Sequence, residues 1–328
     1  MREQTLELEK ATLTAKQPEA AATTNSATTT PTPRKWRDFL WTLPQPILVL
    51  GSMFAVATAF THEWTDPKLF ALIMMILPLP LVLFAEQIWT KRQDWLLTPK
   101  ELAEDGFWLA LAGLIWVPLY SDYYQTPISE GFKAIRDATP LNFKLEPQSI
   151  IGLMLGAILV RTLAELIYYW LHRVQHESVF WWRIHATHHH MTKMGAARGD
   201  RTHPLEFAAL MIATPIILAL TGASDDVIAV TGAFGMFNAI LTHSNLPLRS
   251  GVYGLFFTTA EMHHLHHSRD LQSSNSNYGC AIIIWDRLFG TFNGGTEVEA
   301  VGAGTGQALD IPTQLKMAFV SEDQLTKY

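Results

Sequence analysis

The sequence is short of cysteine and short of charge, and each shortage narrows what it can be. Cys280 is the single cysteine among 328 residues. That excludes a disulfide framework, a cysteine-based zinc finger and a cysteine-ligated iron–sulfur cluster. Charged residues make up 16%, against about 25% in ordinary soluble domains. The net charge is −6, so there is no basic footprint for nucleic acid. No HExxH stretch occurs, no internal repeat is visible, and no basic segment followed by a short apolar run opens the chain. A secretory signal peptide is therefore not expected.

What is abundant points to a membrane. Hydrophobic residues make up 48%, with 17 Phe, 11 Trp and 11 Met, and the mean hydropathy is positive at +0.12. Residues 1–40 read as a disordered polar tail, because a run such as residues 23–33, TTNSATTTPTP, cannot bury enough apolar surface to offset chain entropy. Four apolar segments follow, near Ile47–Phe60, Leu69–Ile88, Phe107–Tyr120 and Ile150–Trp170. A hydrocarbon core of ~30 Å needs about 20 helical residues. The second and fourth segments reach that length, and Trp and Tyr at the margins of the other two extend them as interfacial belts. The expected fold is all-α, with about four transmembrane helices in two hairpins carrying a helical, histidine-rich catalytic cap. A further pair, Leu205–Leu220 and Val227–Leu241, reads as a hairpin that is partly immersed or re-entrant. Arg34, Lys35, Arg37, Lys91, Arg92 and Arg173 fall on one side of the four-span arrangement, which predicts a cytoplasmic cap with both termini on that side. Arg161 and Glu165 lie inside the fourth segment at i,i+4 spacing. Such a pair shares a helix face and points into the bundle or serves a site.

Histidine is the anomaly. Twelve of 13 lie between His172 and His267, where even scattering would put about four; His62 stands alone. His172 and His176 are four apart, the geometry by which a helix offers two imidazoles to one face. His185, His188 and His189 form a stripe at spacings of three and four, and His263, His266 and His267 repeat it. His190 and His264 turn away from those stripes. Eight aligned imidazoles exceed what one ion accepts, since six donors complete an octahedron and tetrahedral zinc takes four. The pattern therefore predicts two metals sharing a site. Imidazole suits Fe, Zn, Cu and Ni alike, so the donors do not choose the metal.

The stretches Tyr168–His176, His185–His189, Arg201–Glu206 (Arg-Thr-His-Pro-Leu-Glu), Thr242–Asn245 (Thr-His-Ser-Asn), His263–His267, Asn277-Tyr-Gly279 and Trp285–Phe292 resemble, in order, the membrane-bound fatty acid hydroxylase / sterol desaturase superfamily of non-haem diiron enzymes. The resemblance covers about residues 160–292. It implies that His172, His176, His185, His188, His189, His263, His266 and His267 are metal ligands, with His243 where the family often supplies another. His203 is implied as a ligand or a supporting residue. Glu165 stands where the family commonly has an aspartate that would orient a ligand imidazole. The stretches Asn277–Gly279 and Trp285–Phe292 carry no ligands and read as a turn followed by an apolar segment packed beside the site.

These readings predict an organisation of polar tail (1–40), membrane helices one to three (41–149), catalytic domain (150–292) and C-terminal tail (293–328). The expected cofactor is two iron ions, with zinc possible as purified, and O2 as co-substrate. Its action would be hydroxylation or desaturation of a lipid from the bilayer: a sterol, fatty-acyl, sphingolipid, ether-lipid or carotenoid chain. The chain has no haem, flavin or cysteine-ligated iron–sulfur motif, so electrons are expected from a separate partner, a cytochrome b5-like protein or a ferredoxin with its reductase. A zinc-dependent membrane hydrolase is the alternative enzyme, but it needs fewer ligands and usually a Glu base beside the metal. A non-enzymatic metal-binding scaffold or transporter is the alternative outside enzymes; a transporter should show repeats and more intramembrane charge.

Overall fold

Proline and small polar residues punctuate the apolar stretches, and these marks become helix starts. The computed structural model describes residues 36–64, 66–140 and 143–325; residues 1–35 of the expected tail lie outside them, and helix begins at Trp36. The first helix, α1 (Trp36–Thr61), is followed by α2 (Pro67–Ile88), where Asp66 Oδ1 accepts the Leu69 N–H at 2.8 Å. In α3 (Pro99–Asp137), Thr98 and Glu101 form a reciprocal capping box, which satisfies two of the amide donors a helix start leaves open. The Ser149 hydroxyl caps α4 (Ile150–Glu177), and α5 (Val179–His189) follows after one residue. Pro204 opens α6 (Pro204–Thr221), whose C-terminal Gly222 adopts φ +58, the left-handed turn that glycine takes without strain. Ser224 caps α7 (Asp225–His243), and the cap carries α8 (Ala260–His266).

Six of these helices are long and apolar enough to cross a membrane: α1, α2, α3, α4, α6 and α7. The four expected segments are among them, and the pair read as partly immersed meets the same measure. The bundle is built around α7, 61% buried against 17–39% for the others, and α7 packs on α1 and α4. The outer helices turn Leu72, Ile76, Leu81, Phe84, Ile151 and Leu155 outward, an apolar surface far larger than a soluble monomer exposes.

Buried polar contacts gather one end of every span. Near the start of α1, Gln45 donates to Asn238 Oδ1 of α7 at 3.0 Å. At the end of α2, Glu86 Oε1 accepts the N–H groups of Ala196 and Asn245 at 2.9 and 2.7 Å. In the first turns of α3, Asp105 pairs with Arg201 and Arg198. At the opposite ends, Leu145 exchanges backbone bonds with Thr221 and Ser224, and Lys68 meets Asp225 at 3.2 Å. The spans thus form three antiparallel hairpins, and residues 178–203 and 244–325 make a cap on one side. Among the described residues there is no β-strand, only isolated bridges Phe257–Ile282 and Ser268–Val301. Part of the expected C-terminal tail is bound to this cap: the Gln314 carbonyl accepts the Thr187 hydroxyl at 3.1 Å, and Met317 is fully buried.

Candidate metal centre

Four elements converge where the spans meet the cap. The end of α4 brings His172 and His176; α5 brings His185, His188 and His189; the end of α7 brings His243; α8 and the residue after it bring His263, His266 and His267. Their donor nitrogens fall into two groups, each with all donor atoms within 4.8 Å of one another: His172, His176, His185, His189 and His266 in the first, and His188, His243, His263 and His267 in the second. The groups adjoin, since the His189 and His267 rings stack at 4.5 Å between centroids.

The outer nitrogens show which way the inner ones face. In the first group His172 Nδ1 lies 2.6 Å from the Tyr278 carbonyl, His185 Nδ1 2.5 Å from Glu206 Oε1, His266 Nδ1 2.9 Å from the Ser276 carbonyl and His176 Nδ1 3.2 Å from Asn275 Oδ1. An oxygen acceptor at Nδ1 fixes the proton there and leaves a lone pair on Nε2. Yet His172 Nε2 and His185 Nε2 sit 2.9 Å apart. Two such nitrogens cannot hydrogen-bond to each other, and a cation between them is what makes the approach favourable. The Nε2 atoms of His176, His189 and His266 are buried with no protein partner. In the second group His243 Nδ1–H donates to the Ala239 carbonyl at 2.8 Å, and His243 Nε2 lies 2.9 Å from His263 Nε2 and 3.4 Å from His188 Nε2. Two imidazoles bound at right angles at ~2.0–2.1 Å would have nitrogens about 3 Å apart. The residues fit metal ions.

Metal ligation also requires neutral imidazole. Burial, reinforced by neighbouring imidazoles, holds His185, His188, His189, His263, His266 and His267 of the cap well below the ordinary 6.5.

Two sequence candidates, His203 and Glu165, and the two imidazoles that the spacing turned away, His190 and His264, lie outside both groups. His203 caps α6, accepting the Leu205 N–H at Nδ1 while Nε2–H donates to the Leu315 carbonyl at 3.1 Å. His190 donates to the Ala186 carbonyl at 2.8 Å. His264 packs edge-on against Trp95 and donates to the Ser244 carbonyl. Glu165 touches no imidazole; it accepts the Ala281 N–H at 2.8 Å and pairs with Arg161 at 3.0 Å. The carboxylate that does hold a candidate ligand is Glu206, fully buried on α6. Sequence reasoning passed over it, although an acid on the first turn of an apolar helix was the available signal. It also missed that residues 275–278 deliver oxygens to three imidazoles. Asp286 fastens that turn by accepting the Tyr278 and Gly279 N–H groups at 2.8 Å each, and burial pushes its carboxyl up to about 6.

A cavity of about 180 Å³ touches both groups, bounded by His185 from the first and by His188 and His243 from the second. It shares Arg161, Tyr168, Thr202, Glu206, Leu210 and Gly235 with a larger cavity of about 610 Å³ running between α4, α6 and α7.

Residues 157–291 match the fatty acid hydroxylase family, and this segment carries all nine grouped histidines. An ornithine lipid hydroxylase of Rhizobium tropici is 35% identical over 157 residues, 48% of this chain and 44% of the relative. The alkylglycerol monooxygenase of Homo sapiens is 29% identical over 153 residues, 46% of this chain and 33% of the relative. Methylsterol monooxygenase 1 of Rattus norvegicus is 30% identical over 128 residues, 38% of this chain and 42% of the relative. The chain thus spans less than half the length of each. No solved structure matches it.

Proposed function

We propose that the protein is an integral membrane oxygenase that holds two irons, takes O2 and external electrons, and hydroxylates or desaturates a lipid. The observation that carries this reading is the pair of adjoining all-imidazole groups facing one cavity that continues between the membrane helices. Iron bound at these imidazoles supplies the reduction of O2 and the attack on an unactivated C–H bond, chemistry beyond any side chain. The chain's own residues hold and place. Glu206, Asn275 and the Ser276 and Tyr278 carbonyls fix four ring orientations, and such outer partners keep donors aimed. The apolar wall of Phe207, Leu210, Met211 and Leu218 keeps water out and sets one substrate carbon beside the donors. Electrons come from a cytochrome b5-like or ferredoxin-type partner, because the sequence holds no redox motif of its own beyond the histidines. The domain assignment of 150–292 as catalytic takes in every grouped histidine.

Lipids extracted from cells with and without the protein test this directly. Mass spectrometry should show one lipid class gaining an oxygen or losing two hydrogens. An unchanged lipid profile with the protein metal-loaded and an electron donor present would overturn the reading.

The same side of the membrane receives the cap and, with six spans, both ends of the described chain. Arg37, Lys91, Arg92 and Arg173 lie on that side, and the positive-inside rule makes it cytoplasmic. Leu271 on the cap and Lys68 at the opposite ends are both well exposed. In whole cells Lys68→Cys should react with a membrane-impermeant thiol reagent, and Leu271→Cys should react only after permeabilisation. The reverse pattern would invert the topology.

A further inference from the structure

The smaller of the two cavities is bounded by both histidine groups. At about 180 Å³ it falls below the roughly 300–1,000 Å³ that encloses a drug-sized molecule. The cavity of about 610 Å³ beside it lies within that range. A ligand of a few atoms suits the smaller space, and a lipid chain suits the larger.

Most donors on the wall of the smaller cavity are used within the protein. His185 Nδ1–H donates to Glu206 Oε1 at 2.5 Å, His188 Nδ1–H to the Arg201 carbonyl at 3.3 Å and His243 Nδ1–H to the Ala239 carbonyl at 2.8 Å. The Thr242 hydroxyl donates to the Ala239 carbonyl and the Asn238 amide to the Cys280 carbonyl. Tyr168 is different. Its hydroxyl oxygen accepts the Cys280 thiol at 3.0 Å, and burial pushes that thiol up, so the sulfur keeps its proton. The phenol O–H is then left without an acceptor among the described residues, and a buried tyrosine hydroxyl ordinarily has one. With the roles reversed the sulfur would still be a weak acceptor.

Position separates Tyr168 from the other open donors. It lies one helical turn before His172 on α4, and the two rings meet edge-on at 5.4 Å between centroids. Arg161 also lines this cavity, and its buried Nε lacks a partner. It stands seven residues further back, about 10 Å along the axis, and is held by Glu165 at 3.0 Å. The Thr202 hydroxyl, on the segment between α5 and α6, is the remaining competitor.

We infer that the Tyr168 hydroxyl is the hydrogen-bond donor to the small ligand that shares this cavity with the metals, O2 in turnover. Oxygen becomes a stronger acceptor as it gains electrons, so a donor fixed in advance favours that change. The Cys280 thiol holds the phenol oxygen from the other side. This deepens the oxygenase reading and rests on it for the identity of the ligand, but an analogue can be bound without turnover.

The experiment uses the iron-loaded, oxidised full chain in lipid nanodiscs, with azide as the probe. Affinity is read by absorption titration, and the azide stretching band by infrared spectroscopy in H2O and D2O. In wild type the band should shift in D2O, as it does for a ligand held by an exchangeable proton. Tyr168→Phe keeps the ring against His172 and removes only the hydroxyl. It should retain both metals and lose most of the D2O shift. Its azide affinity should fall about tenfold, the effect of losing one hydrogen bond to a charged acceptor. Cys280→Ala keeps the phenol and should keep the D2O shift. Four results would overturn the inference. They are no azide binding by iron-loaded wild type, full affinity in Tyr168→Phe, the loss appearing in Thr202→Val in its place, and loss of metal in Tyr168→Phe, which would make the residue a support for His172. The expected azide results in a protein that oxidises no lipid would count against the oxygenase reading alone.

Discussion

Replacing His188 by alanine is expected to lower the metal content from two ions per chain to about one and to abolish lipid oxidation. His188 is one of only four donors in its group, so its loss leaves three and an open, distorted position. The first group keeps all five of its imidazoles and should keep its ion. His190→Ala is the control two residues away. That imidazole is also buried, but it donates to its own helix at Ala186 and belongs to neither group, so two metals and most of the activity should remain. Glu206→Gln falls between them. The amide still fits beside His185 Nδ1 but no longer draws its proton as a carboxylate does, and metal affinity should fall by about 10–100-fold. Elemental analysis on protein purified from equal amounts of membrane reads all three variants. Two ions and full activity in His188→Ala would falsify the dinuclear assignment.

The grouping of donors was only half legible in the sequence. Helical spacing picks out His185, His188 and His189 as a stripe, and likewise His263, His266 and His267. The same geometry contains the division that the stripe conceals. At about 100° per residue, His189 lies some 40° to one side of His185 and His188 some 60° to the other. The two edges of α5 therefore feed different groups, His185 and His189 the first and His188 the second. On α8, His266 separates from His263 and His267 in the same way. Which edge faces which partner is decided by the packing of α4 and α7 against the cap, and no local pattern reports that.

The supporting residues were less legible, and Glu165 shows why. Seven residues before His172 it shares a helix face, but it lies about 10 Å back along the axis, too far for a carboxylate to reach that imidazole. It ties Ala281 to α4 instead. Glu206 reaches His185 because α6 starts beside α5, a tertiary fact. The carbonyls of Ser276 and Tyr278 belong to the backbone and have no side-chain signature at all; only Asn277 at φ +54 and the Asp286 clasp reveal that the turn is shaped to present them. That α6 and α7 are also long and apolar enough to cross a membrane was half-visible for a related reason. The break at residues 222–226 reads as a loop of unknown depth until Leu145 is seen bonding to Thr221 before it and to Ser224 within it.

Acidifying the metal-free protein from pH 7.5 to 5.5 is expected to unfold the cap. In the folded state burial holds His185, His188, His189, His263, His266 and His267 well below 6.5, so each stays neutral there. In the unfolded chain each returns to about 6.5 and takes a proton as the pH falls past that value. The unfolded state then binds more protons than the folded one, and stability falls with falling pH. Each group contributes about 1.4 kcal/mol per pH unit below 6.5. Six together outweigh the Asp200 and Asp286 carboxyls of the cap, which burial raises and which take protons in the folded state over the same range, and the net loss still reaches the size of a typical domain's whole stability, ~5–15 kcal/mol, within one to two units. Above about 7 the profile should be nearly flat, because both states are then neutral. Metal should move the transition to lower pH, since an ion occupying the imidazole lone pairs binds the folded state alone and must be displaced by protons before the cap opens. Near-ultraviolet circular dichroism and the unfolding temperature, followed with and without metal across this range, measure both effects. A flat stability profile from pH 7.5 to 5.5 in the metal-free protein would mean that these imidazoles are not held neutral in a dry site, and the metal-centre assignment would lose its electrostatic basis.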